Sequence, residues 1–134
     1  TLQALSKNPV HSDVMEEKLA ERINHIDLAK KTDLFIVAPA SANTIAKLAH
    51  GMADNMLTAT ALALPSTTPK LIAPAMNTKM YENPLTKKNL KILQEVGYQE
   101  ILPKSGLLAC GDTGRGALAD ISVIIESIDN ALTK

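Results

Sequence analysis

The stretch of sequence that decides the fold is Leu-Phe-Ile-Val-Ala-Pro, residues 34–39. A continuous apolar run closed by proline is typical of a strand buried on both faces, because a half-exposed strand alternates apolar and polar residues. Two later stretches repeat the form: residues 70–73 run up to Pro74, and the weaker run 100–102 stops at Pro103. The sequence therefore predicts three short strands, each ended by a proline.

Helical patterns separate the three predicted strands. Apolar residues recur at helical spacing over residues 44–64, and Gly51 interrupts or bends this first helix. The second helix starts with Asn83 as its cap and Pro84 in its first turn, and it stops at Gly97, which are the usual signals of helix ends. Strands joined by helices are expected to be parallel, because a parallel connection must cross back over the sheet.

A last helix is predicted after Asp120, which is placed to cap it. Its expected inner face consists of Val123, Ile124, Ile128 and Leu132. This order of elements predicts an α/β fold, a three-layer sandwich with a Rossmann- or flavodoxin-like parallel sheet. We expect residues 1–134 to form a single domain, since a chain of 134 residues has room for one core.

Composition and charge exclude several classes of function. The 14 lysines and arginines balance the 14 aspartates and glutamates, so no net field draws the chain to nucleic acid or to anionic membranes. The apolar runs are far shorter than the roughly 20 residues that cross a bilayer, and we predict a cytoplasmic protein. The single cysteine, Cys110, excludes an internal disulfide. No pair of histidines or cysteines has the spacing of a metal site.

The loop after the first strand is the first candidate site, because ligands of such folds bind outside the carboxyl ends of the strands. It reads Ala-Ser-Ala-Asn-Thr, residues 40–44, and leads straight into a helix. Small hydroxyl and amide side chains at the start of a helix form a cradle for phosphate together with the unpaired N–H groups. The same side chains are ordinary N-caps, and both interpretations stay open at this point.

The loop after the second strand is the second candidate site. Asn77 lies between Met76 and Met80, so that an amide able to donate and accept is flanked by soft apolar side chains. Such a set suits a polar ligand group held against an apolar wall. Alternatively, the two methionines only fill gaps in the core.

The third loop, residues 104–119, is long and contains four glycines together with Cys110. Long loops in compact domains tend to be functional, and we interpret this one as a mobile lid over a ligand. The alternative is a surface excursion without a role. Outside the loops, His25 with Asp27 nearby is a candidate acid or base, although an isolated histidine is often a spectator.

Taken together, three motifs and a histidine resemble the family of homo-oligomeric flavin-containing cysteine decarboxylases. They are His25 followed by Ile-Asp-Leu, residues 39–44 (Pro-Ala-Ser-Ala-Asn-Thr), residues 74–81 (Pro-Ala-Met-Asn-Thr-Lys-Met-Tyr) and residues 109–116 (Ala-Cys-Gly-Asp-Thr-Gly-Arg-Gly). The resemblance spans essentially the whole chain, and it implies that a strand, a turn and a helix before Thr1 are missing. One departure is Tyr81, where the family motif usually has tryptophan.

The resemblance implies a role for individual positions of these motifs. The implied cofactor is FMN, bound by Ser41, Ala42, Asn43, Thr44 and the backbone of Ala75. The implied substrate-binding residues are Asn77, Met80 and Ala109. His25 is the implied catalytic base or orienting group, and Cys110 is the implied proton donor.

The activity that the resemblance implies is FMN-dependent decarboxylation of 4'-phosphopantothenoylcysteine to 4'-phosphopantetheine in coenzyme A biosynthesis, by a homotrimer or homododecamer. A flavin suits this reaction because oxidation of the thiol carbon creates a C=S group that accepts the electrons released with CO2. Two alternatives stay open. One is an oxidative decarboxylase of peptides ending in cysteine, which stops at the ene-thiol and lacks a cysteine at the position of Cys110. The other is a non-catalytic flavoprotein that acts as a regulatory subunit.

Overall fold

A sheet of three parallel strands organises the computed structural model, which describes residues 24–107 and 113–133. The strands are β1 (Phe35–Ala40), β2 (Lys70–Pro74) and β3 (Tyr98–Glu100), with β2 in the centre. Both neighbouring pairs are parallel, as predicted. All five residues of β2 are buried, so the expectation of a strand buried on both faces is confirmed there. It is wrong for the end of β1, where Ala38 and Pro39 are exposed at the edge of the described sheet.

The third strand lies two residues earlier than the sequence predicts. Residues 100–102 were expected, whereas β3 spans Tyr98–Glu100. The Ile101 N–H still donates to the Ile72 carbonyl at 2.8 Å, but the chain then leaves the sheet and Leu102 is exposed. The prediction is therefore right for Glu100, which pairs with Ile72, and wrong for Ile101 and Leu102, which lie beyond the end of the strand.

The predicted helix between β1 and β2 is interrupted near Gly51, so that two helices connect the strands. They are α2 (Ala42–Ala49) and α3 (Met56–Ala63), and an earlier helix α1 (Asn24–Lys31) precedes β1. Gly51 lies between them with φ +70°, a conformation that glycine adopts without strain. α3 then begins at a reciprocal cap, in which the Asn55 side chain accepts from the Thr58 N–H at 2.9 Å.

The connection from β2 to β3 contains the helix predicted from its end signals. This helix, α5 (Pro84–Glu95), begins after Asn83, whose side chain accepts from the Leu85 N–H at 2.8 Å. The chain leaves it through Gly97 at φ +105°. A short helix that the sequence analysis did not predict, α4 (Thr78–Glu82), comes just before it.

The segment interpreted as a long mobile loop contains an antiparallel hairpin. Its strands are β4 (Lys104–Leu107) and β5 (Thr113–Ala117), and the last helix, α6 (Ile121–Leu132), follows. These strands have no signal in the sequence, because β5 has glycine at two of its five positions and glycine gives no apolar alternation. The hairpin is held instead by main-chain pairing.

The sheet is covered on both faces, which confirms the three-layer α/β architecture. On one face Val37, Ile72 and Tyr81 belong to a core shared with α2 and α5. On the other face the residues packed together come from β1, β2 and α6: Ile36, Leu71, Ala73, Ile124, Ile128 and Ala131. The predicted inner face of α6 is thus right for Ile124 and Ile128. It is wrong for two residues that are 44% and 51% exposed, Val123 and Leu132, because Ala131 occupies the third inward position.

Among the described residues, no helix combines the length and apolarity needed to span a membrane. The same part of the chain contains no group of three or more His, Cys, Asp or Glu side chains arranged to hold a metal ion.

Candidate functional site

The loops after β1 and β2 start side by side at the carboxyl edge of the sheet. The Ala75 N–H donates to the Ala40 carbonyl oxygen at 3.0 Å, and Ala40 itself pairs with Pro74 across a shift in the register of the two strands. Ala75, implied by the resemblance as a cofactor contact, is half-buried at this junction. The first two candidate loops therefore form one continuous surface.

The polar residues of the first loop cap helix α2. The Ser41 side chain accepts from the Thr44 N–H at 3.1 Å, and its hydroxyl lies 3.2 Å from the Thr44 hydroxyl. The capping interpretation is therefore correct for Ser41. Ser41 and Asn43 are exposed, and Ala42 and Thr44 are half-buried. All four residues at the start of the helix are therefore accessible to a ligand.

This cap does not remove the anion-binding character of the loop. A helix leaves its first four N–H groups without partners inside the helix, and Ser41 accepts from one of them. Those groups also lie at the positive end of the helix dipole. Hydroxyls, an amide and backbone N–H groups are a donor set that matches the oxygens of a phosphate group.

The second loop turns into helix α4 at Asn77. The Asn77 Oδ1 accepts from the Lys79 N–H at 2.8 Å, so this side chain is the N-cap of α4 and its amide has a defined orientation. Met76 is half-buried against the core on one face of the sheet. For Met76 the gap-filling interpretation is therefore correct, whereas Met80, in the helix that Asn77 caps, is 49% exposed.

The hairpin lies directly on the second loop, and two of its glycines make this approach possible. The Met76 N–H donates to the Gly116 carbonyl oxygen at 2.8 Å. A Cβ atom at Gly116 would lie 2.4 Å from the Met76 carbonyl oxygen, and one at Gly114 would lie 3.0 Å from the Thr78 methyl group. A glycine-rich loop of this length favours mobility as the reason for these glycines. The structure shows that two of them serve close packing of β5 against the loop.

Tyr81 connects α4 to the end of β3. It is 2% exposed, and its O–H donates to the Glu100 carboxylate at 2.7 Å. Burial, together with the hydrogen bond to Glu100, raises the pKa of the Tyr81 phenol well above its usual value. The Lys87 ammonium lies 3.6 Å from the centre of the same ring.

Sequence reasoning missed Glu100 as a residue near the site. It was predicted to be the first residue of the third strand, whereas it is the last residue of β3 and so lies at the carboxyl edge. A correct strand boundary would have indicated it, because every strand of a parallel sheet ends at the same edge.

Three predicted site residues are not joined to this surface by the contacts above. His25 is half-buried in α1, which packs against α3. Cys110 and Ala109 lie outside the described residues, in the segment between β4 and β5. Their roles stay predictions.

A separate cavity of about 360 Å³ lies at the opposite edge of the sheet, where β2 and β3 begin. Its walls include Leu48, Met52, Leu62, Lys70, Val96 and Tyr98. The buried Lys70 ammonium donates to the Thr68 carbonyl at 3.1 Å and to the Pro65 carbonyl at 3.4 Å, which holds the turn before β2. No residue of the candidate site lines this cavity.

A parallel sheet covered by helices, with a capped helix start and polar loops at its carboxyl edge, defines an α/β protein of the nucleotide-binding class. The comparison with known families is more specific. The Flavoprotein family model matches residues 1–133, and the chain belongs to that family.

Similar proteins of known name lie within the same family. The chain is 63% identical over 132 residues to the "Probable phosphopantothenoylcysteine decarboxylase" of Streptococcus mutans, and the match covers 98% of this chain and 74% of that protein. A solved structure of a cysteine-to-serine mutant of PPC decarboxylase, complexed with pantothenoylaminoethenethiol, matches with a TM-score of 0.84 and 38% identity. This match covers 92% of this chain and 70% of the PPC decarboxylase chain. The FMN binding protein AtHal3 matches with a TM-score of 0.80 and 39% identity over 93% of this chain and 70% of that chain.

Proposed function

We propose that this protein catalyses the FMN-dependent decarboxylation of 4'-phosphopantothenoylcysteine to 4'-phosphopantetheine, a step of coenzyme A biosynthesis. The observation that carries the proposal is the pair of main-chain hydrogen bonds from Ala75 to Ala40 and from Met76 to Gly116. They join the helix-capping loop, the Asn77 loop and the hairpin into one surface. The names of the similar decarboxylases support the same activity.

The residues of the first loop fit a flavin phosphate. We assign FMN binding to Ser41, Ala42, Asn43, Thr44 and the backbone of Ala75, since hydroxyl, amide and N–H donors at a helix start match phosphate oxygens without a lysine. The flavin supplies the redox chemistry, oxidation of the thiol carbon before CO2 is lost and its reduction afterwards.

The second loop would bind the cysteine end of the substrate. The Lys79 N–H fixes the Asn77 amide, and we propose that the amide NH2 donates to the substrate carboxylate or amide oxygen. Met80, which is half-exposed in the helix that Asn77 caps, would line the pocket together with Ala109. An apolar wall around a carboxylate favours loss of CO2, because it disfavours the charged ground state.

Two residues would move protons. We propose His25 as the base or orienting group, since a histidine changes charge near neutral pH. We propose Cys110 as the acid, in the segment between the two strands of the hairpin. Its thiol would give a proton to the ene-thiol that remains after CO2 is lost, at the carbon that carried the carboxylate.

The proposal is tested by adding 4'-phosphopantothenoylcysteine to the FMN-loaded protein and measuring CO2 release. We expect multiple turnovers with this substrate and none with peptides that end in cysteine. Turnover of the peptides alone would instead indicate an oxidative peptidyl-cysteine decarboxylase. No turnover of either, with FMN bound, would favour a non-catalytic flavoprotein that acts as a regulatory subunit.

Replacing Ser41 by alanine should weaken FMN binding about tenfold, because the cap that orders the phosphate-binding loop is lost. A matched control is Asn55→Ala, which removes the cap of α3 instead. Both changes should cost about 1 kcal/mol of unfolding free energy. Only Ser41→Ala should raise the FMN Kd in a flavin fluorescence titration, and equal Kd values for the two variants would remove Ser41 from the cofactor site.

We also propose that the protein assembles as a homotrimer or homododecamer. Helix α6 exposes apolar side chains, such as Ile121 at 73% and Ile125 at 52%. Contacts between subunits would bury this apolar surface. A single domain over residues 1–134 and a cytoplasmic location stay predictions from the sequence.

A further inference from the structure

Helix α4, which carries Asn77 as its cap, has only five residues. A helix this short does not hold its own conformation in water, so contacts outside it must fix its position. Tyr81, in its last turn, supplies such a contact. Its ring is buried in the core on one face of the sheet, and its O–H reaches the Glu100 carboxylate at 2.7 Å.

Residues from two other elements contact the Tyr81 side chain. Glu100 is the last residue of β3, and Lys87 lies in α5, with its ammonium 3.6 Å from the centre of the ring. The hydrogen bond to a carboxylate and the cation over the ring both favour one orientation of the phenol. The end of α4 is therefore tied to the central sheet and to the following helix.

The link from Tyr81 back to Asn77 is direct. The Tyr81 N–H donates to the Asn77 carbonyl oxygen at 2.9 Å, while the Asn77 side chain accepts from the Lys79 N–H at 2.8 Å. The two residues thus form the ends of one hydrogen-bonded turn. A shift of Tyr81 would move the backbone to which the Asn77 amide is attached.

We propose that Tyr81 is a positioning residue, whose hydrogen bond to Glu100 holds the Asn77 amide in the orientation that binds substrate. This inference rests on the proposed function, in which Asn77 contacts the cysteine end of the substrate. It gives a role to the hydroxyl that tyrosine brings to a position where the related motif usually has tryptophan.

The test is Tyr81→Phe in the FMN-loaded protein, because this change removes the hydroxyl and keeps the ring. We expect the KM for 4'-phosphopantothenoylcysteine to rise at least about tenfold, the lower end of the range for losing one hydrogen bond to a charged group. The kcat should change far less and the FMN Kd should stay the same. Hydrogen exchange at the Lys79 amide should become faster, since its acceptor Asn77 is less well held.

The matched control is Tyr98→Phe, which makes the same change in the same core cluster at the first residue of β3. It should leave both the KM and the exchange of the Lys79 amide at wild-type values. If Tyr81→Phe also leaves both unchanged, the positioning role is overturned.

A second pair of variants covers the case in which Tyr81→Phe loses FMN or fails to fold. Glu100→Gln keeps an oxygen acceptor and should resemble the wild type, whereas Glu100→Ala should reproduce the higher KM and the faster exchange. Equal behaviour of these two variants would contradict the proposal. If the wild type does not turn over the substrate, the proposed function fails, and the exchange at Lys79 still decides whether Tyr81 orders the turn.

Discussion

Replacing Gly116 by alanine should lower kcat/KM for 4'-phosphopantothenoylcysteine roughly a hundredfold, the equivalent of about 3 kcal/mol. The added Cβ would lie 2.4 Å from the Met76 carbonyl oxygen. A backbone atom cannot move aside as a side-chain end can, so β5 must lift from the second loop. The hydrogen bond from Met76 to Gly116 would then break, and β5 would lose its position against the second loop.

The control for this prediction is Gly97→Ala. Gly97 also has a positive φ, +105°, but a Cβ there meets no atom within 4 Å. Gly97→Ala should therefore lower the free energy of unfolding by only about 1 kcal/mol, through backbone strain, and leave the steady-state kinetics unchanged. If both variants lose activity equally, backbone strain and not the close packing on Met76 explains the effect of Gly116→Ala.

Replacing Cys110 by serine should change the product of the reaction. A serine hydroxyl is a far weaker acid than a thiol, so protonation of the ene-thiol should slow by roughly a thousandfold. CO2 release in the first turnover should persist, because the step proposed for Cys110 follows the loss of the carboxylate. Mass spectrometry of a single-turnover mixture should detect the ene-thiol, and the flavin absorbance should remain bleached.

The contrast with Gly116→Ala makes this prediction specific. Displacing the hairpin should slow substrate binding and all later steps, whereas Cys110→Ser should leave substrate binding intact. Formation of phosphopantetheine at the wild-type rate by Cys110→Ser would exclude the thiol as the proton donor.

The parts of the fold that depend on local signals could be predicted from the sequence. The apolar run 34–39 indicated β1, and the pair Asn83 and Pro84 marked the start of α5 to the residue. Both signals act over a few neighbouring residues. The position of the candidate loops followed in turn, because a parallel sheet brings the ends of its strands to one edge.

The parts that depend on contacts distant in sequence could not be predicted. The hairpin has a strand with glycine at two of five positions, and what holds it is main-chain pairing together with the fit of Gly116 on Met76, 40 residues earlier. The Tyr81 contact to Glu100 spans 19 residues. Neither partner shows a local pattern that points to the other, so only the folded chain reveals the pair.

The central claim is that this flavoprotein completes a decarboxylation that is redox-neutral overall, and one measurement tests it most directly. Excess 4'-phosphopantothenoylcysteine is added to the FMN-loaded protein in the absence of oxygen, and product and flavin absorbance are followed together. We predict many equivalents of 4'-phosphopantetheine per FMN, with the flavin oxidised once the substrate is exhausted. A single equivalent of ene-thiol per FMN, with the flavin left reduced, would contradict the account.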